Sequence, residues 1–164
     1  MELGSLSLDF AASDLDDAGG VSRALAVVLT FEPVVRPEDR ADACRLHQAM
    51  VRAFAAAAEG NPLADRDVAT MNSHAADEPP ALRLTPDGLA VRASSDPVRA
   101  SLAALARDAI ETIAHDGRRL RICADADCRR IFLDRSHGKR RRWCSMRRCG
   151  NRAKVTAFRR RSSR

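Results

Sequence analysis

The chain has 164 residues, of which 45% are hydrophobic and 4% are aromatic, with no Tyr. A core with so few aromatic residues has to be built from Ala, Leu, Val and a few Phe, which favours packed helices over a β-sandwich. No apolar run is long enough for a membrane span, and the first ten residues, MELGSLSLDF, lack the basic start of a signal peptide. We therefore expect a cytoplasmic protein with no membrane segment.

The net charge of +6 hides an uneven distribution. Residues 1–117 contain 10 Arg against 19 Asp and Glu, a balance of −9, whereas residues 118–164 contain 18 Lys and Arg against 3 Asp, a balance of +15. Such a split is typical of a polyanion-binding segment joined to an acidic body. We therefore place the domain boundary at Gly117, with an acidic α+β regulatory or sensor-like domain in residues 1–117 and a basic domain in residues 118–164.

The first 35 residues contain two short apolar runs, SLSLDF and ALAVVLTF, each of which fits either a strand or a buried helix end. The stretch DLDDAGG between them predicts a loop. A long helix is predicted over residues 37–59, because Pro37 and the two carboxylates after it suit a first turn and Gly60 ends the apolar periodicity. A shorter helix is predicted over residues 63–73.

A β-hairpin is predicted in the stretch ALRLTPDGLAVRA, where apolar residues alternate on both sides of a Pro-Asp-Gly turn. The next helix is predicted to begin after Asp96, a suitable N-cap residue followed by Pro97. Its apolar stripe consists of Val98, Leu102, Leu105, Ala109 and Ile113, and it is predicted to end at Asp116-Gly117.

Four cysteines lie in two pairs in the basic segment: Cys123, Cys128, Cys144 and Cys149. Each pair has the spacing C-x4-C, and fifteen residues separate the pairs, so that four sulfurs can converge on one tetrahedral centre. The segment is too short and too polar to bury a core of its own, and a bound Zn²⁺ would stabilise its fold. Paired disulfides and an iron–sulfur cluster are the alternatives, although nothing indicates export and the usual cluster spacings are tighter.

The rest of the basic segment predicts a treble-clef-like finger made of a cysteine knuckle, a hairpin and a helix. Ile131 and Leu133 alternate as in a strand, and Ser136-His137-Gly138 predicts a turn before the chain returns. Ser145 is a suitable N-cap for a basic helix running from Met146 to Arg160. The fold class is therefore α+β, a mainly helical N-terminal domain with a small hairpin followed by this four-cysteine finger.

The end of the chain resembles the CGNR zinc-finger family. The motif that gives the family its name is present as Cys149-Gly150-Asn151-Arg152, after R-W-C-S-M at residues 142–146 and F-x-D-x-S at residues 132–136. The N-terminal stretch GSLSLDF resembles the ABATE-type domain that accompanies this finger in stress-induced transcription regulators of bacteria, although Ala11-Ala12-Ser13 replace the usual V-N-T. The resemblance implies zinc held by the four cysteines and a finger that binds DNA.

Other candidate site residues have simpler interpretations. Cys44 and His47 are three residues apart on the first long helix, but no second pair accompanies them, so packing is the expected role. His137 is expected to be a turn residue. Trp143 is expected to pack over the metal loop, the alternative being stacking on a nucleic-acid base. The sequence contains no nucleophile–base pair and no phosphate loop, so we expect no enzymatic activity.

The sequence thus predicts a zinc-dependent, DNA-binding transcription regulator whose N-terminal domain senses a small-molecule or protein effector or forms a homodimer. One alternative is an RNA- or ribosome-associated module, and another is a redox-sensing interaction module. The residues predicted to contact nucleic acid are Arg140, Arg141, Arg142, Arg148, Arg152 and Lys154.

Overall fold

A computed structural model describes residues 5–29 and 31–162 of the chain. Within these ranges helices dominate and two antiparallel strand pairs complete an α+β fold, as predicted. The elements in chain order are α1 (Leu6–Ala11), α2 (Ala18–Leu29), α3 (Pro37–Glu59), α4 (Asp65–Ala75), β1 (Ala81–Leu84), β2 (Ala90–Ala93), α5 (Pro97–Asp116), a 3-10 turn (Gly117–Arg119), β3 (Leu120–Ile122), β4 (Ile131–Leu133), a π-helical turn (Met146–Gly150) and α6 (Asn151–Ser162).

Both N-terminal apolar runs form helices. α1 buries Leu8 and Phe10, and its start is tied to α5 by the carboxylate of Asp108. Asp108 Oδ2 accepts hydrogen bonds from Ser5 Oγ and Ser7 Oγ, both at 2.6 Å, and from Ser7 N at 2.9 Å. The stretch GSLSLDF therefore anchors the first helix to the last helix of the N-terminal part. Its first residue and Thr30 of the second run lie outside the described residues.

The predicted loop between these runs is shorter than expected, because α2 already begins at Ala18. Asp17 Oδ1 accepts a hydrogen bond from Gly20 N at 2.6 Å, which satisfies one of the amide groups exposed at the helix start. A Cβ at Gly20 would lie 2.6 Å from the backbone oxygen of Asp14. The loop can therefore approach α2 this closely only at a glycine.

The predicted helix over residues 37–59 is confirmed as α3. Asp39 Oδ2 accepts hydrogen bonds from Arg36 N and Arg36 Nε, both at 2.9 Å, and fixes the helix start. Gly60 ends the helix in the left-handed conformation, with φ 75°, which is costly for residues that carry a Cβ. The inward face of α3 buries Leu46, Met50 and Phe54 completely.

The remaining elements of the N-terminal part also follow the predictions. The short helix is present as α4, beginning and ending two residues later than predicted. The hairpin pairs β1 with β2, with Gly88 in its turn at φ 80°. Asp96 caps α5 by accepting a hydrogen bond from Arg99 N at 3.2 Å.

α5 is the central helix and contacts each of the four helices before it. Of its predicted stripe, Val98, Leu102, Leu105 and Ala109 are buried, whereas Ile113 is half-buried at the edge of the core. Burying an apolar side chain of this size contributes roughly 1.5–3 kcal/mol, and these side chains join those of α1 to α4 in one core.

The predicted strand at Ile131 and Leu133 is confirmed as β4. The prediction that it pairs with the chain returning after the turn at Ser136-His137-Gly138 is wrong. β4 pairs with β3, which precedes the first cysteine pair, and within residues 5–29 and 31–162 no strand follows the turn at Ser136–Gly138. The connection between the two strands is the cysteine knuckle, and Cys123 N donates to Arg130 O at 2.9 Å to close it. The register pairs Leu120 with Leu133, Arg121 with Phe132 and Ile122 with Ile131.

The β3–β4 hairpin is packed on the helical core. Leu120 is fully buried and belongs to the same core cluster as the helices, and Ile131 and Leu133 pack against that cluster. Both strands contact α3. The hairpin therefore fixes the cysteine knuckle relative to α3.

Candidate metal centre and basic surface

The four cysteines of the basic segment converge on one point. Cys123 directly follows β3 and Cys128 lies in the connection to β4, whereas Cys144 and Cys149 flank the start of the π-helical turn. Their four Sγ atoms all lie within 4.8 Å of one another. Cys123 and Cys149 are buried, and Cys128 and Cys144 are half-buried.

The sulfur separations match a tetrahedral metal site. Cys144 Sγ lies 3.6 Å from Cys128 Sγ and 3.7 Å from Cys149 Sγ. Four sulfurs at metal–sulfur distances of about 2.3 Å in a tetrahedron lie roughly 3.8 Å apart, whereas a disulfide needs about 2.05 Å. All five cysteines of the chain are free. The four clustered cysteines form a metal-binding site.

The environment of the cluster changes the pKa values of its thiols. Burial raises the pKa of Cys144 to about 12 and also raises the pKa of Cys149. A hydrogen bond involving the backbone of Arg130 lowers the pKa of Cys128. Burial thus favours the protonated form of Cys144 and Cys149, and metal binding would displace their protons.

A small apolar cluster surrounds the sulfurs. Phe132 is buried against the cysteines, and Trp143 packs on the same cluster. This placement supports the predicted packing role of Trp143. The guanidinium of Arg142 lies 5.3 Å from the Trp143 ring, and that of Arg141 lies 5.3 Å from the Phe132 ring, so the cations cover the apolar cluster from outside.

The F-x-D-x-S stretch has a clear structural role. The Asp134 side chain is fully buried, and its carboxylate accepts hydrogen bonds from Ser136 N at 3.0 Å, Ser136 Oγ at 2.5 Å and Arg141 N at 2.8 Å. Burial would raise the pKa of Asp134, but these hydrogen bonds outweigh it and lower the pKa. The carboxylate fixes the loop that leads into Cys144.

The second cysteine pair lies at the start of a helix, as predicted. Ser145 Oγ accepts a hydrogen bond from Arg148 N at 3.3 Å and caps the π-helical turn. The turn is wide because the amides of Cys149 and Gly150 both donate to Ser145 O at 3.0 Å. Gly150 is the last residue of the turn, and the α-helix proper begins at Asn151.

The six residues predicted to contact nucleic acid fall into two groups. Arg140, Arg142, Arg148 and Lys154 are exposed on the loop before Cys144 and on the helix after it. Arg141 is half-buried, and its Nη2 donates to Cys144 O at 2.9 Å. This guanidinium therefore supports the metal loop.

Arg152 also makes contacts inside the finger. Its Nε donates to Asp125 Oδ2 at 2.8 Å, and one Nη lies 3.7 Å from a carboxylate oxygen of Asp127. Hydrogen bonds to Cys149 and to Asp125 raise the pKa of Arg152. Arg152 thus connects the knuckle to the helix that carries Cys149.

The three aspartates of the basic segment had no predicted role, yet two of them make contacts that stabilise the finger. Asp134 is fully buried, and the side chain of Asp125 is 8% exposed. The available signal was their rarity, with 3 Asp against 18 Lys and Arg in residues 118–164. An acidic residue in so basic a segment is a good candidate for an internal ion pair or a buried cap.

Cys44 and His47 do not form a second metal site. Within the described part of the chain the four finger cysteines are the only group of three or more candidate ligands close enough to share an ion. Cys44 is half-buried with its Sγ 4.0 Å from Leu15 O, and the His47 ring contacts the edge of Phe10 at a centroid distance of 5.6 Å. Both side chains pack, as predicted. His137 lies exposed in the predicted turn.

Two family models match the chain. The CGNR zinc-finger model covers residues 119–162, and the ABATE model, described as "Putative stress-induced transcription regulator", covers residues 4–116. The chain belongs to the ABATE family. No curated protein matches it. Both resemblances stated from the sequence are therefore confirmed, and the metal site and its arginines lie within the CGNR finger.

The ABATE part and the CGNR finger share an extensive boundary, through Leu120 and the strands that contact α3. Neither family is enzymatic by its description. Among the described residues, none of the helices combines the length and the apolar character that a membrane crossing requires.

Proposed function

We propose that this chain is a zinc-dependent transcription regulator whose CGNR finger binds duplex DNA. The observation that carries the proposal is that one four-thiol site fixes both the loop and the helix on which the exposed cations lie. The ABATE match, whose description is that of a stress-induced transcription regulator, supports the proposal. We keep Gly117 as the proposed boundary between the two domains.

Zn²⁺ is the metal that the donor set favours. Closed sites of four cysteine sulfurs are typical of structural zinc, and Cys123, Cys128, Cys144 and Cys149 are the proposed ligands. Bound zinc would supply rigidity to a segment with almost no core. Because four sulfurs leave no open coordination position, the proposed site has no place for a catalytic water, and we propose a protein without enzymatic activity.

The exposed cations supply the affinity for DNA. Residues 118–164 carry a balance of +15, from 18 Lys and Arg against 3 Asp, and this charge would release counterions from a phosphate backbone. We propose that Arg140, Arg142, Arg148 and Lys154 contact phosphates. Arg141 and Arg152 stabilise the finger, and they affect DNA binding only by holding the finger in shape.

The ABATE part is proposed to regulate the finger, through an effector or through a homodimer. Its helical core meets the finger at the buried side chain of Leu120, so a change in the core reaches the metal loop through packed residues. The proposed location is the cytoplasm, where such a regulator meets DNA.

The test compares three polyanions. The zinc-loaded full chain is titrated into fluorescent duplex DNA, structured RNA and polyglutamate across a salt series, with Arg148→Gln as the surface variant and Arg83→Gln on β1 as the matched control. We expect the tightest binding to duplex DNA, weakened by Arg148→Gln and unchanged by Arg83→Gln. Tighter binding to RNA at every salt concentration would contradict the proposal.

Metal dependence provides the second part of the test. Removal of zinc with a chelator should abolish DNA binding, and zinc should restore it, since the cations are arranged by the metal loop. DNA binding that survives complete zinc removal would show that the basic segment acts as an unstructured chain. Zinc release by peroxide at low concentration would instead support the redox-sensing module.

A further inference from the structure

We infer that the cleft between α1 and the finger binds a small amphipathic organic anion, a carboxylate with an apolar tail. The cleft encloses about 770 Å³, within the range of small-molecule sites. Its lining combines an apolar wall with a cationic wall. The residues that carry this argument are Ala12 and Val51 on the first wall and Arg129, Arg130 and Arg148 on the second, and the cleft reaches the proposed metal ligands Cys128, Cys144 and Cys149.

The apolar wall is held in place before any ligand binds. Ala12 directly follows α1, whose start is fixed by the hydrogen bonds from Ser5 and Ser7 to Asp108. Val51 extends the wall from α3 and is half-buried. A preformed apolar surface costs a ligand little reorganisation, which favours binding of a tail of modest size.

The opposite wall carries an excess of positive charge. Six arginines and two aspartates line the cleft together with Cys128, Cys144 and Cys149, and the two negative charges of a zinc ion with four thiolates would leave the arginines in excess. Arg129, Arg130 and Arg148 are exposed, and within residues 5–29 and 31–162 their guanidinium groups form no ion pair. Arginines gathered around a concave surface repel one another, and an anion bound between them reduces this repulsion. A carboxylate is well suited to their planar donors.

The combination of walls favours an amphipathic anion over a DNA phosphate. A phosphodiester backbone is charged along its whole length and would leave the half-buried side chains of Ala12 and Val51 in contact with water. A small inorganic anion would satisfy the arginines and also leave the apolar wall unused. Only a ligand with both a charged end and an apolar body covers both walls of the cleft.

The inference deepens the proposed function and rests on it for one consequence alone. A ligand in the cleft would contact α1 of the ABATE part and Arg148 of the finger at the same time. It would therefore compete for a cation that DNA binding uses. The expected consequence is weaker DNA binding in the presence of the ligand.

Calorimetric titration of the zinc-loaded full chain tests the binding itself. Octanoate is the probe, octyltrimethylammonium matches its tail with the opposite charge, and inorganic phosphate provides an anion without a tail. We expect saturable binding of one octanoate per chain, at least tenfold tighter than that of either control compound. Equal binding of phosphate, or no saturable binding of octanoate, would overturn the inference.

Charge-reversal variants locate the site. Ala12→Glu and Arg130→Glu should each weaken octanoate binding at least tenfold, and Arg83→Glu on β1 should leave it unchanged. The zinc content and the thermal midpoint of each variant show whether it is folded. The two cleft variants lie in different parts of the chain, and one of them in a folded state is enough to test the site. Octanoate binding that survives in a folded cleft variant would overturn the inference.

DNA binding is measured separately, so that the two proposals can fail independently. If octanoate binds as expected but the chain has no affinity for duplex DNA, the anion site is supported and the proposed function is wrong. If the chain binds DNA and the octanoate titration is flat, the proposed function is supported and the anion site is wrong.

Discussion

The guanidinium of Arg152 and the carboxylate of Asp125 link the two halves of the metal site, with Nε and Nη2 of the arginine 2.8 Å and 2.7 Å from Asp125 Oδ2. Asp125 lies in the knuckle between Cys123 and Cys128, whereas Arg152 lies one helical turn after Cys149. The ion pair therefore connects the loop of the first cysteine pair to the helix of the second. The arginine of the C-G-N-R motif is thus part of the scaffold of the metal site.

We predict that Arg152→Gln and Asp125→Asn each increase the rate of zinc transfer to a colorimetric chelator. The double variant should be no faster than the worse single variant, because both changes remove the same contact and their effects are not additive. Arg148→Gln is the matched control, with a charge lost from the same helix region but no ion pair broken, and should keep the wild-type rate. Fully additive effects would show that Arg152 and Asp125 act separately.

The exposed cations should behave differently from Arg152. We predict that Arg148→Gln and Lys154→Gln each weaken duplex-DNA binding and lower the slope of log affinity against log salt by about one, the change expected for one lost phosphate contact. Zinc content should be unchanged in both. The measurement is fluorescence anisotropy over a salt series. An unchanged slope in both variants would show that neither side chain neutralises a phosphate.

Leu120 should stabilise the finger and the helical core together. We predict that Leu120→Ala lowers the free energy of unfolding by about 2–5 kcal/mol, since the side chain is fully buried and its removal leaves a cavity. Val155→Ala, at a position 50% exposed on α6, should change stability by less than about 0.5 kcal/mol. Both variants are compared by urea denaturation with circular dichroism and zinc release as parallel probes.

The two probes distinguish a docked finger from an independent one. If β3 is part of the common core, Leu120→Ala should lower the urea midpoint of helix loss and of zinc release together. A variant that releases zinc earlier while its helices unfold at the wild-type midpoint would contradict this prediction, because it would show that the finger unfolds alone.

The well-predicted elements are those with strong local signals at their ends. α3 begins at Pro37 and ends before Gly60, and α5 begins after Asp96, and in each case a capping or turn residue marks the boundary. α1 has no side-chain cap and spans only 6 residues, so that its apolar run fits a strand as well as a helix. Tertiary packing on α5 decides its conformation.

The metal site could be predicted because its signal is chemical, whereas its supporting contacts could not. The spacing of the four cysteines along the chain is enough to predict that their sulfurs share one site. The partner of β4 was missed because β3 has only 3 residues, two of which flank a charged Arg121. The roles of Asp125 and Asp134 depend on contacts made only in the folded finger, so the sequence indicates these residues only through the rarity of acidic side chains in this segment.

Asp134 should be as important for the finger as a metal ligand. We predict that Asp134→Asn lowers zinc retention, because the amide offers one oxygen where the carboxylate accepts hydrogen bonds from Ser136 and from Arg141 N on two oxygens. Ser136→Ala removes one donor, Ser136 Oγ, and should have a smaller effect. Chelator-competition rates on both variants give the comparison. Equal effects would show that the hydroxyl contact accounts for the whole role of the carboxylate.

His47 should make the stability of the ABATE part depend on pH in the range around its ordinary pKa. Its Nε2 is buried without a hydrogen-bond partner in the described chain, and burial lowers the pKa of His47 below its ordinary value of 6.5. The unfolded chain therefore binds the proton more tightly than the folded chain does, so that this contribution is fully present above pH 6.5 and is lost as the pH falls.

We predict that His47→Leu flattens the decline of the free energy of unfolding, measured by urea denaturation, between about pH 7.5 and pH 5, by at most roughly 1.36 kcal/mol per pH unit, the limit for one proton. Gln48→Leu, at an exposed position next to His47 on α3, is the matched control and should keep the wild-type profile because it removes no titratable group. Burial also lowers the pKa of His74, so a His47→Leu/His74→Leu double variant should be flatter still. A single His47→Leu variant whose profile parallels that of the wild type would show that this imidazole keeps the same proton affinity in the folded and unfolded chains.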